Sequence, residues 1–102
     1  MTKLNLYDYS LIPEHMMEAI KRYVERGVPL GNFLTAVFAN DLFGAVGRAD
    51  DYNQQIIPVY VKYIYNQCPI GCNGSYHDVE ACIQKKFEQG VKEEIKELVE
   101  QE

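Results

Sequence analysis

Four residues with soft donor atoms fall within fifteen positions, Cys68, Cys72, His77 and Cys82, spaced C-x3-C-x4-H-x4-C. Thiolates and imidazoles are the donors of tetrahedral zinc sites. The first gap is one residue longer than in a zinc knuckle, and the glycine and aromatic positions of a knuckle are not matched. The stretch after Ser75 reads as helix, where a pair five apart such as His77 and Cys82 diverges by about 140°. The expectation is no metal and three ordinary thiols. Neither His15 nor His77 has a recognisable orienting partner for a Cys–His nucleophile, so catalysis has little support and the chain is read as no enzyme.

Asp41 is the most informative single residue. If one helix runs through this region, then relative to Leu34 Asp41 lies at about −20°, with Phe38, Ala45 and Leu42 at about +40°, +20° and +80°. That places a carboxylate on the apolar face, and a buried charge needs a partner. Arg48, at about −40° in the same frame, is the natural donor. The pair is either a structural link or part of a polar pocket in which Arg48 binds an anionic ligand.

Gly71-Cys72-Asn73-Gly74-Ser75 leads into a helix start that can receive an anion, but it lacks the strand and lysine of a P-loop. A plain helix cap is the ordinary alternative. Eight tyrosines and no tryptophan make an unusual aromatic balance. Tyr60, Tyr63 and Tyr65 cannot all face one core from a single helix, so some are exposed, line an oligomer contact or stack on a base.

The elements that must position these residues are legible from periodicity and punctuation. Residues 1–12 form an extended or loosely docked arm. Pro13 opens a first helix to about residue 26, with the stripe Met16, Ile20, Tyr23 and Val24, and Gly27 with Pro29 ends it. A second helix begins near Leu30 to Asn32 and carries Leu34, Val37, Phe38, Leu42, Ala45 and Val46 on one face. Asp50 or Asp51 is an N-cap for the next. The stretch 56–65 has strand composition but helical spacing, and with Pro58 inside it reads as a helix that kinks or restarts there. Ser75 with Asp78 resembles a capping box for a last helix that runs to the C-terminus and bends at Gly90. The fold class is all-α: a compact bundle of about four helices in one domain, with 85–102 as a charged helical extension.

Composition narrows the partners. Fifteen acids against ten bases give a net charge of −5, and no Lys/Arg cluster exceeds two adjacent residues. Duplex nucleic acid needs a basic patch and is disfavoured. Met1 to Leu6 lacks the apolar region of a signal peptide, and the uncharged run Leu30 to Ala39 is too short to span a bilayer. With reduced thiols, this predicts a cytoplasmic protein without membrane contact. Surplus apolar surface at Ile56 to Tyr65 and in the stripe Val91, Ile95, Leu98 predicts a homo-oligomer.

The run Pro29-x-Gly31-x-Phe33-Leu34-x-Ala36-Val37-x-x-Asn40-Asp41-Leu42, then Gly47-Arg48-Ala49-Asp50 and Asn53, resembles a group of short phage and prophage proteins. The resemblance continues through Tyr65-Asn66, Pro69, Gly71-Cys72, Gly74-Ser75 and Val79, and covers about residues 10–84. Cys82 stands where that group has Trp, and the charged tail after Lys85 is an addition. The resemblance implies a phage origin and carries over no catalytic residue or cofactor. Small phage accessory proteins of this kind act by binding. The expected function is therefore to counter host anti-phage immunity by sequestering a small anionic nucleotide as an oligomer. The alternative is a protein–protein inhibitor of a host defence or regulatory protein, and a third is a small zinc-binding or enzymatic protein. A ligand is placed around Arg48, Asp50 and Asn53, with Asn40 and Asp41 behind them, Tyr52 to stack on a base, and Gly74-Ser75 as a second candidate.

Overall fold

The computed structural model describes residues 4–100. The ends of the arm and of the extension, 1–3 and 101–102, and with them part of the signal-peptide reading, lie outside the described residues. Among the described residues a 3₁₀ turn, Tyr9–Leu11, precedes six helices and there is no strand. They are α1 (Glu14–Arg26), α2 (Asn32–Phe38), α3 (Leu42–Arg48), α4 (Asp51–Gln55), α5 (Ile57–Gln67) and α6 (Tyr76–Glu100). The all-α bundle with a long C-terminal helix is as expected. No helix among the described residues is long and apolar enough to cross a membrane.

Local chemistry explains most boundaries. Pro13 is the N-cap of α1, and Gly27, in the left-handed region at φ 72°, closes it with its N–H on Tyr23 O at 2.8 Å. Glycine is required at 27 twice over, since a Cβ there would meet Lys86 Cβ at 2.6 Å and Ile83 O at 2.9 Å, where α1 abuts α6. Asp50 caps α4 by accepting from Asn53 N–H at 2.7 Å. Pro58 lies in the first turn of α5, where its missing N–H costs nothing. Ser75 caps α6: its hydroxyl accepts from Asp78 N–H at 3.0 Å and donates to the Asp78 carboxylate at 2.8 Å.

Three expectations are corrected. The helix expected from Leu30 past Gly44 is two helices, because Asn40 takes the left-handed conformation at φ 61° and Asp41 N–H turns back to Ala36 O at 2.9 Å. Asparagine tolerates that conformation and so ends a helix much as glycine does. Gly90 does not interrupt α6. The thiols are not all free either, since Cys72 and Cys82 form a disulfide with Cα atoms 5.1 Å apart. Disulfides belong to oxidising settings, so the pairing removes the cysteine argument for a cytosolic location. Cys68 stays free, and burial pushes its thiol up to about 11.

The core forms where α1, α2, α5 and the first half of α6 meet, with α6 contributing Val79 and Cys82. Tyr23, Tyr60, Phe38, Ile20 and Val59 are its largest fully buried side chains, and each such burial contributes about 1.5–3 kcal/mol. Tyr23 packs edge-on against Phe38, and Phe33 against Tyr60. The arm docks on α5, with Ile12 buried and Tyr9 edge-on to Tyr63 at 5.1 Å. The loop 68–75 is held from three sides. Tyr23 Oη donates to Cys72 O at 2.7 Å, Gly74 N–H donates to Phe38 O at 2.8 Å, and the disulfide ties the loop to α6.

Candidate functional site

The break at Asn40 decides the site. Ending α2 at Phe38 leaves a depression between α2, α3, α5 and the loop 68–75. It consists of two adjoining hollows of about 50 and 220 Å³ that share Val37, Asn40 and Val61. Leu42, Ala45 and Ile57 extend the smaller one, while Ile64, Tyr65, Asn73 and Gly74 extend the larger. The walls are chiefly aliphatic, and the amides of Asn40 and Asn73 supply hydrogen-bonding groups.

Asp41 borders the smaller hollow and does not point into the core, which corrects its expected place on a buried face. It is the N-cap of α3, and Oδ1 accepts from Gly44 N–H at 2.9 Å. Oδ2 accepts from Tyr76 Oη at 2.5 Å and lies 4.0 Å from Arg48 Nη1. A Cβ on Gly44 would meet the Asp41 carboxylate and the Arg48 guanidinium at 2.3 Å, so a larger residue there would make these two side chains shift. The Tyr76 hydroxyl, then the Gly44 N–H, holds the Asp41 carboxyl below its ordinary value, and the same bond pushes the Tyr76 phenol up. The expected buried ion pair is thus a partly solvated cluster. The Arg48 side chain is 48 % exposed.

Of the residues expected to bind a ligand, the structure brings Asn40, Asp41 and Gly74 to the edge of the hollows, with Arg48 beside them through Asp41. The others serve the fold. Asp50 caps α4. Asn53 is buried and accepts from Tyr60 Oη at 2.7 Å. Tyr52 donates to Leu11 O, clamping the arm, and Ser75 caps α6. Sequence reasoning missed Tyr76, Val61, Tyr65 and Asn73. A usable signal was present for two of them: Val61 and Tyr65 are four apart on α5, and the three tyrosines of this segment could not share one core. Tyr60 is buried, Tyr63 half-buried and Tyr65 exposed.

Every buried side-chain polar atom among the described residues has a partner, so no unsatisfied group awaits a ligand in the interior. Nor is there among them a group of three or more His, Cys, Asp or Glu placed to hold a metal ion. No known protein family matches the chain, and neither a curated protein nor a solved structure is significantly similar to it.

Proposed function

We propose that this chain is a phage accessory protein that acts by binding, and that its groove at Asn40 takes an apolar anchor from a host protein. The observation that carries this reading is the exposure of the lining itself: Leu42, Val61 and Tyr65 are 66, 51 and 83 % exposed. Aliphatic and aromatic side chains held in water beside a concavity gain free energy when another chain covers them, at about 25 cal/mol per Å². The hollows are smaller than the roughly 300–1,000 Å³ of small-molecule pockets, which favours a side-chain anchor over an enclosed ligand. With a net charge of −5, the fitting partner is basic around its apolar anchor. Phage origin enters from the sequence resemblance, and inhibition of a host defence or regulatory protein is the activity it suggests.

Sequestration of a small anionic nucleotide is the second reading, and the half-exposed Arg48 guanidinium favours it, since an Arg can grip a phosphate with two parallel hydrogen bonds. One experiment separates the two. The protein is expressed in a bacterial host, purified, and its bound material identified by mass spectrometry, beside Val61→Arg and Arg48→Ala. The docking reading expects a defined host protein that is lost with Val61→Arg and kept with Arg48→Ala. A nucleotide released on denaturation, and lost with Arg48→Ala, would overturn it.

A further inference from the structure

The loop 68–75 lines two separate hollows. Asn73 and Gly74 form one wall of the larger hollow of the groove. Gly71 and Cys72 line another, of about 220 Å³, together with Cys82, Lys85, Lys86 and Gln89 of α6. Each cysteine is nearly covered, yet both border this space, so a small solute that enters it meets the disulfide. Among the described residues its lining holds two lysines and no acid, in a chain whose net charge is −5.

Little besides the disulfide fixes the loop. Within 68–75 Cys72 alone is buried, and Pro69, Ile70 and Gly71 stand in solvent. Between the ends of the loop, the noncovalent ties to the body are two hydrogen bonds, from Tyr23 Oη to Cys72 O and from Gly74 N–H to Phe38 O. Such a bond contributes little net stability, because water satisfies the same groups once a loop opens. A covalent link restrains the segment far more.

We propose that the Cys72–Cys82 disulfide is an exchange site for a small anionic thiol, and that its cleavage frees the loop wall of the groove. The small thiolate attacks one sulfur and forms a new S–S bond to it, and the Cys72–Cys82 bond breaks. The other cysteine leaves as a thiolate and takes a proton from water. A second small thiol then attacks the mixed disulfide. Two small thiols are thereby oxidised to one disulfide, and the protein pair is reduced to two thiols. Lys85 and Lys86 attract an acidic thiol and favour the departing thiolate. Val37, Val61 and Ile64 stand on α2 and α5, so the groove keeps these walls in both states. The switch therefore sets how far the groove extends toward residues 73–74. Its bearing on docking rests on the groove being a docking site, whereas the exchange and the release of the loop do not.

The test treats oxidised protein at neutral pH with anionic glutathione or with neutral β-mercaptoethanol, and counts thiols by alkylation and mass spectrometry. The ratio of the two rates is expected to fall at least about threefold in the double variant Lys85→Gln, Lys86→Gln. A mixed disulfide on Cys72 or Cys82 is expected as the intermediate. Amide hydrogen exchange read by NMR follows the loop. The Gly74 N–H is expected to lose protection on reduction while the amides of α2 and α5 keep theirs. A chain whose three cysteines all stay free under oxidising conditions, or a disulfide that yields only in denaturant, overturns the proposal. An unchanged rate ratio overturns the anionic-thiol site. Protection at Gly74 that survives reduction, or that is lost together with α2 and α5, overturns the release of the wall. Both readouts are taken without a partner, so they fail or hold apart from the docking reading.

Discussion

Two aspartates, Asp41 and Asp50, begin helices in this chain and do the same local work, yet their surroundings make different things of them. Asp50 caps α4 through Asn53 N–H, and Asn53 in turn receives the Tyr60 hydroxyl inside the core. Every polar group in that series is spent on the fold. Asp41 caps α3 through Gly44 N–H, then holds Tyr76 from a distant helix and leaves Arg48 loosely attached at 4.0 Å. This second junction sits at the lip of a groove with exposed apolar walls. The comparison teaches that residue type and spacing mark a helix start, whereas burial of the neighbours decides whether its polar groups are enclosed in the core or left at the surface.

The largest effect is expected from Asn53→Ala. It leaves the buried Tyr60 hydroxyl without its acceptor and opens space in the core, at a cost of about 2–3 kcal/mol, read by urea denaturation. A change under 0.5 kcal/mol would show that the Asp50 junction is no more structural than the other. Asp50→Ala removes the cap alone and is expected to cost about 1 kcal/mol in the same assay.

The Asp41 junction is expected to respond to acid. Its carboxyl is held below the ordinary value by the Tyr76 and Gly44 bonds, so the stability it contributes is present above the unfolded pKa of about 4. That contribution is lost as pH falls through the lower folded value. Tm measured from neutral to acidic pH should fall more steeply below that range in the wild type than in Asp41→Asn. Identical slopes would mean that the cluster does not hold the carboxylate. At the other extreme, burial pushes Tyr23 up to about 12, so the stability it contributes is complete below pH about 10 and is lost above it. Arg48→Ala is expected to have the smallest effect, with no measurable change in Tm, because a half-exposed guanidinium at 4.0 Å makes a weak surface pair.

What the sequence revealed follows how local each feature is. Pro13 and Gly27 around α1, Asp50 before α4 and Ser75 with Asp78 before α6 are decided within four residues, and all four boundaries hold in the structure. The restart at Pro58 is local as well. The break at Asn40 was not legible, because the apolar spacing of residues 34–46 runs unbroken across it and only an Asn-Asp pair marks the turn. Beyond local range the sequence is silent. The bond from Tyr76 to Asp41 spans 35 positions. The disulfide depends on the loop 68–75 folding back against α6, which Tyr23 and Phe38 arrange from elsewhere in the chain. The groove is legible only in part, since Val61 and Tyr65 declare a surplus of apolar surface on α5 without saying what lies beside it.

The claim that the Asn40 groove is where this protein docks a partner is tested most directly by a photoreactive amino acid at Val61, activated in bacterial cells that express the protein. The account expects one discrete adduct with a host protein, absent when the same probe stands at the exposed Gln54 of α4 and abolished by adding Tyr65→Ala. Adducts as abundant from Gln54 as from Val61, or none from either position, would contradict it.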